Sequence, residues 1–388
     1  MKIAILYDVI YPQSIGGGEK MNWEIGRRLA KRGHEVWLVS SKMWEGPAQM
    51  EQDGMLYTGI CRWLKTTNNL GNRSLLQPLL FAVATFRFLR KERFDAVLCS
   101  AFPYLSCLTA RAAGWFQPVP LAIAWYEARG LKAWWKYAGL AGLPAAVLER
   151  MAARMTRHHN TISTFTAERM HRKLGIPVEQ TEIISAGVDV DRIRPSGAVA
   201  KRKEILCVGR VVRHKRVDRL VDAFTQIAAD FPEHTLKIIG TGAERPAMEE
   251  RVRNAGLDGQ VKFIDTLPVD ALYETFRQAQ VFVLPSDQEG FGMVLIEAMA
   301  AGTPVLAQRA ELSAASSIIT HGRDGLLFDS VSELAAQLRD VLTQPELAAA
   351  LTAGGRVSAD QYDWDKVIIP TVEKYLLTLQ SSSTAKFD

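Results

Sequence analysis

The stretch Leu284 to Val305, LPSDQEGFGMVLIEAMAAGTPV, leaves a chain few ways to fold. An apolar, branched run, Val281 to Leu284, stops at Pro285 and Ser286 and predicts a buried strand. Gly290 and Gly292 free the backbone where a helix from Met293 to Ala301 begins, and Gly302 followed by Pro304 ends it. Strand, glycine loop, helix and strand in that order make an α/β unit. The first amides of such a helix lack internal partners and suit a phosphate. Glu289 in the loop and Glu297 in the helix frame that mouth, about a nucleotide-sugar's length apart at ~1.5 Å of rise per residue. Carboxylates beside a phosphate repel it unless hydroxyls donate hydrogen bonds to them, which suits a sugar ring at one end and a ribose at the other. Taken singly, either acid would read as a solvated surface group; together they ask for a sugar nucleotide.

The chain opens in the same manner. Lys2 to Tyr7 predicts a strand, Gly16, Gly17 and Gly18 a loop at its carboxyl end, Glu19 to Arg32 a helix and Glu35 to Ser40 the next strand. Further strands are expected at Phe94 to Ser100, Pro120 to Trp125, Asn160 to Phe165 and Thr181 to Ser185. Apolar helices are expected at Leu75 to Leu89 and Ala101 to Ala112, and a helix at Ala167 to Leu174. Gly187 to Lys203 combines glycine, proline and charge as a linker does; the Asp189-x-Asp191 pair inside it reads as part of a turn. Beyond it, Glu204 to Val208 predicts a strand followed by Gly209, Arg210 and, five residues on, Lys215, two cations suited to a diphosphate. Gly240-Thr241-Gly242 ends the next strand. Tyr362 to Leu379 predicts an amphipathic helix, with disorder from Ser381.

With its flanking PS, GFG and EAMAAGTPV, the opening stretch resembles the E-x7-E signature of the retaining glycosyltransferases of family 4, Glu289 and Glu297 standing as its acids. The resemblance covers most of the chain. It implies a GT-B fold, α/β, with two Rossmann-like domains facing each other across a cleft: residues 1–190 for the acceptor, completed by a crossover helix at about 362–380, and residues 200–361 for the donor. It further implies catalytic roles for Glu289, Arg210 and Lys215, with Glu297, Gly290, Phe291, Gly292, Gly240, Gly242 and Thr266 on the donor and Gly16, Gly17 and Gly18 near phosphate and acceptor. The sequence departs from the family's pattern in four respects, one being that Leu306 to Ala315 lacks the usual glycine turn. Tyr126 or Glu127, depending on register, stands where a histidine is usual, Ala186 replaces an asparagine, and Ser317 replaces an acid.

The implied activity is metal-independent transfer of a hexosyl group, with retention, from a donor such as UDP-glucose or GDP-mannose to a glycan or lipid-linked acceptor in cell-surface polysaccharide or glycolipid synthesis. No cofactor or bound metal is expected. The rival readings are a GT-B epimerase or phosphorylase, and a sugar-nucleotide-binding subunit without catalysis.

Composition excludes other classes. With 388 residues, 48% hydrophobic and 23% charged, the chain can bury two cores, and its four cysteines lack zinc or disulfide spacing. Asp8 interrupts the first apolar run too early for a signal peptide, and the uncharged run Ala112 to Tyr126 is too short to span a bilayer, so a cytoplasmic protein is expected. Residues 1–190 carry 24 Lys and Arg against 15 Asp and Glu, a charge of +9, which leaves −4 for the rest. Trp134 and Trp135 sit among Arg129, Lys132 and Lys136, ahead of the apolar run Tyr137 to Leu148. That pattern predicts peripheral contact with an anionic membrane, on the inner face of the cell membrane, and no nucleic-acid partner. The neighbours His158 and His159 lack the acid or cysteine spacing of a metal site.

Overall fold

The computed structural model describes residues 1–14, 16–64, 76–194, 196–197 and 199–384, with side chains to Ser381. The chain divides into two compact units: residues 1–185 with 368–388, and residues 186–367.

The first unit is built on eight strands: β1 (Lys2–Leu6), β2 (Glu35–Lys42), β3 (Gln49–Gln52), β4 (Met55–Arg62), β5 (Ala96–Ser100), β6 (Leu121–Trp125), β7 (His159–Thr161) and β8 (Thr181–Ile183). They lie in the order β3-β4-β2-β1-β5-β6-β7-β8, parallel except for the β3–β4 hairpin. Helices cover both faces of such a sheet, so its central strands are near-continuous apolar runs, as in residues 3–6 (IAIL) and 96–99 (AVLC). Trp37, Trp125, Tyr104 and Trp134 belong to one buried cluster. The C-terminal helix Ile369–Thr384 completes this unit.

The second unit contains β9 (Glu204–Val208), β10 (Thr235–Ile239), β11 (Val261–Ile264), β12 (Val281–Leu284), β13 (Gln288–Glu289), β14 (Val305–Gln308), β15 (Leu312–Ser313) and β16 (Leu326–Phe328). Its main sheet is parallel in the order β11-β10-β9-β12-β14-β16, and β13 pairs with β15. In each unit the strand order reverses beside the first strand, between β1 and β5 and between β9 and β12. Ligands of open α/β sheets bind outside the carboxyl ends at such a reversal.

Several boundaries differ from expectation for local reasons. The first helix is Gly17–Lys31, so only Gly16 caps it and Gly17 and Gly18 form its first turn. The helix expected from Ala101 begins at Tyr104, because Pro103 occupies the N-cap. The strand expected through Phe165 ends at Thr161, because the Ser163 hydroxyl accepts from the Thr166 amide at 3.1 Å and starts the helix Thr164–Leu174. The helix expected from Leu75 runs Leu76–Lys91, Leu75 lying outside the described residues. The helix expected over Tyr362 to Leu379 starts as a π-turn at Trp364–Ile368 and continues to Thr384, so residues 381–384 are helical rather than disordered. Within the linker, Val190–Ile193 forms one helical turn.

Candidate active site

At the reversal of the second sheet, two loops meet. One leaves β9 through Gly209, Arg210 and Lys215; the other leaves β12 through Pro285, Ser286, Asp287 and Glu289. The Lys215 ammonium ion-pairs with the Glu289 carboxylate, and both side chains are largely shielded from solvent. The same loops are tied again by the Asp287 amide donating to the His214 carbonyl at 2.9 Å. Asp287 in turn receives Arg216 at 2.8 Å and Arg219 at 2.7 Å. From the far side, Glu289 pairs in register with Ser313, and its carbonyl accepts the Ala314 amide at 2.9 Å. The chain around Leu312 and Ser313, where the resemblance weakens, thus pins the acid-bearing loop.

The helix Met293–Ala301 begins at Gly292, whose φ of +96° turns the chain into it. Most of the helix is apolar and buried; Glu297, half-buried, is its one charged residue. Phe291, expected on the donor, is buried with its ring 5.7 Å from that of Tyr362. Thr266 is exposed just beyond β11, and Arg210 is exposed beyond β9.

Gly240 and Gly242 serve a close backbone approach. The Gly209 amide donates to the Ile239 carbonyl, and the Val211 amide to the Thr241 carbonyl, at 2.9 and 2.8 Å. With φ of +150° and +159°, a Cβ on Gly240 or Gly242 would land on the carbonyl of Gly209 or Val211. These glycines therefore fix the loop that carries Arg210. His214 lies among the same charges, and its imidazole is pushed below its usual value by partial burial, then by Lys215 and Arg210.

In the first unit, Gly16 caps the helix Gly17–Lys31 and Gly18 lies against the ring of Tyr126. The Tyr126 hydroxyl donates to Asn22 Oδ1 at 2.6 Å, and Asn22 Nδ2 donates to Ser100 Oγ at 3.3 Å. Burial is the main cause that raises the Tyr126 phenol, against the pull of its bonds to Ser100 and Asn22. Of the two open registers, Tyr126 is the residue turned to the glycine segment. Glu127 is exposed and pairs with Arg129 at 3.0 Å.

Sequence reasoning missed Asp287, Arg216, Arg219, His214 and Asn22. Asp287 and Arg216 had a signal in their proximity to the two motifs; the Asn22 pairing spans 104 positions and had none. Asp191 of the D-x-D pair receives Lys366 at 2.7 Å. His159 accepts from the Trp125 indole at 3.1 Å inside the core. Among the described residues, no three His, Cys, Asp or Glu side chains converge as metal ligands would.

The strand orders and these two loop sites define the class: two Rossmann-like units in one chain, each with its site at the reversal of its sheet. The family model described as Glycosyl transferases group 1 matches residues 189–357, and that described as Glycosyltransferase Family 4 matches residues 15–192. The chain belongs to this glycosyltransferase family. It is 29% identical over 231 residues to a D-inositol 3-phosphate glycosyltransferase of Rhodococcus jostii, covering 55% of this chain and 51% of that protein. It is 31% identical over 225 residues to a GDP-mannose-dependent alpha-(1-6)-phosphatidylinositol monomannoside mannosyltransferase of Mycobacterium tuberculosis, covering 53% and 57%. The chain thus spans about half the length of the curated relatives it matches. Anabaena HepE in complex with UDP shares its fold at a TM-score of 0.76 and 19% identity, over 97% of this chain and all of that one. The fold is GT-B, the expected class.

Proposed function

We propose that the protein transfers a hexosyl group from a nucleoside-diphosphate sugar to a hydroxyl of a glycan or lipid-linked acceptor, in polysaccharide or glycolipid synthesis. The observation that carries this reading is the Lys215–Glu289 pair held between the β9 and β12 loops, at the start of a helix that bears Glu297. The donor diphosphate lies at the amide end of that helix, with Arg210 and Lys215 offsetting the charge that grows on it as the sugar's anomeric C–O bond breaks. Glu289 holds sugar hydroxyls and orients Lys215; Glu297 holds the ribose. UDP in HepE and GDP-mannose in the mycobacterial relative's description support a nucleotide donor of this type.

The anomeric configuration is retained, the departing phosphate taking the proton of the attacking hydroxyl from the same face. No nucleophile from the first unit is then needed, which fits Tyr126 in place of a histidine. No metal takes part. The acceptor meets the first unit around Gly16–Gly18 and Tyr126, in the cytoplasm at an anionic membrane. The support for the membrane is a surface on which Trp135, Tyr137, Leu140 and Val147 are exposed beside Lys132, Lys136 and Arg150. No helix among the described residues is long and apolar enough to cross a membrane.

A thermal-shift panel of UDP-, GDP- and ADP-sugars tests the donor, because a ligand at 100 times its dissociation constant adds ~2.7 kcal/mol. The stabilising donor is then incubated with candidate acceptors with and without EDTA, and the product's anomeric configuration is read by NMR. Stabilisation by no nucleotide sugar, or consumption of none, overturns the reading.

A further inference from the structure

A second charged cavity opens in the second unit, at the other end of the helix Met293–Ala301. It measures about 320 Å³, at the lower end of the range of small-molecule pockets, and Gly197, Lys201, Arg277, Ala301, Gly302 and Arg356 line it. No carboxylate is among its lining residues. A run of nine helical residues, ~1.5 Å of rise each, separates it from the Glu289 loop.

The charges around it do not cancel. Arg277 pairs with Glu274 at 3.0 Å and donates to the carbonyls of Ile193 and Arg192. Arg194 takes Asp360 at 2.7 Å, the acid one turn beyond Arg356 on the helix Pro345–Asp360. Lys201 donates to the carbonyls of Ala279 and Gly302, both at 3.0 Å, and to the Thr303 hydroxyl at 3.1 Å, so its three hydrogens are used. Those carbonyls follow two helices whose C-terminal ends carry about half a negative charge each, which offsets roughly one cation.

Arg356 remains. Its guanidinium lies over Gly302, has no acid partner among the described residues, and its Nε is buried without a hydrogen-bond partner. The Lys201 amine is drawn down to about 8, by burial first and by Arg356 second. Two cations are thus held beside one another around a cavity with no acid between them, an arrangement an anion would relieve.

We propose that this cavity binds a phosphate group, carried by a phosphomonoester the size of a sugar phosphate, with Arg356 donating to it and Lys201 supplying field. The site does not depend on the reading of the Glu289 site. Its volume exceeds the need of a bare tetrahedral anion, and its one unmatched guanidinium suits phosphate as a forked donor.

Calorimetric titration of the full chain with inorganic phosphate and with a hexose 1-phosphate tests it, in wild type, Arg356→Gln and Lys215→Ala. Arg356→Gln removes the charge and the guanidinium over Gly302 while keeping a polar side chain; circular dichroism checks its fold, and Lys201→Met is the second variant. Binding that weakens about tenfold or more in Arg356→Gln or Lys201→Met and persists in Lys215→Ala is the expected result. Tighter binding of the ester than of inorganic phosphate supports the sugar phosphate; equal binding supports the phosphate group and overturns the ester. Binding lost in Lys215→Ala but kept in Arg356→Gln places the anion at the Glu289 site and overturns the proposal. So does no heat from either phosphate at about 10 mM, well above a millimolar constant.

Discussion

Lys215 and Glu289 are far apart in sequence and adjacent in space, and their pairing makes the two residues mutually dependent. Replacing Lys215 by alanine removes a preorganised cation and is expected to cost roughly a hundredfold in turnover; Arg210→Ala is expected to cost about the same. Glu297→Ala should instead weaken nucleotide binding, visible as a raised KM for the donor with a smaller change in kcat. Initial-rate kinetics on the three variants separate these effects, and wild-type rates in all would remove the residues from the site. These residues could be found from sequence because each sits in a short motif beside a strand end. Asp287, Arg216 and Arg219 could not be ranked, because a charged loop residue looks the same whether it is solvated or clamped across 71 positions.

His159 gives a second prediction at this scale. Burial draws its imidazole from the usual 6.5 to about 4, and Nδ1 accepts from the Trp125 indole, so the folded protein holds it neutral. The unfolded chain binds the proton more readily. This contribution to stability is therefore complete above about pH 6.5 and is lost as pH falls towards 4, roughly 3 kcal/mol in all. His159→Gln, which keeps an acceptor for Trp125, should flatten that slope. Urea unfolding at pH 7 and pH 4.5 measures it; an unchanged slope would show that other groups set the acid sensitivity.

At the level of elements, the packed β9 and β10 loops leave no room for a side chain at Gly240. Gly240→Ala should destabilise the second unit by about 2–4 kcal/mol, since it adds both a clash and a strained φ. Denaturant unfolding of the variant checks this, and a loss below ~1 kcal/mol would mean that the loops yield. The sequence made the order of elements legible through apolar runs punctuated by glycine and proline. It hid the ends, because Pro103 and Ser163 act by capping rather than by pattern. The β3–β4 hairpin was missed although Asp53 and Gly54, both at positive φ, form the type of turn that an Asp-Gly pair favours. Its outer strand, QMEQ, is polar and mostly exposed, so no apolar run announces it.

For the molecule as a whole, the basic and apolar surface of the first unit predicts salt-sensitive sedimentation with anionic vesicles and little with neutral ones. Equal, negligible sedimentation with both at low salt would move the acceptor into solution. Connectivity sets a second expectation. Ile369, Val372, Tyr375, Leu376 and Leu379 of the C-terminal helix are buried, and at ~1.5–3 kcal/mol for each large side chain their sum is comparable with a domain's net stability. Removal of residues 368–388 should therefore leave the first unit open to protease, with the second unit resistant. A first unit that resists equally would show that the helix is dispensable.

That helix also bears on the order of events on the ribosome. The second unit is one continuous stretch, whole once residue 367 has been made, whereas the first waits for residues 369–384. Domains of most nascent chains mature from the amino end onward. Here the order is inverted: residues 1–185 wait for a helix made after residues 186–367, so the second unit can close before the first is covered.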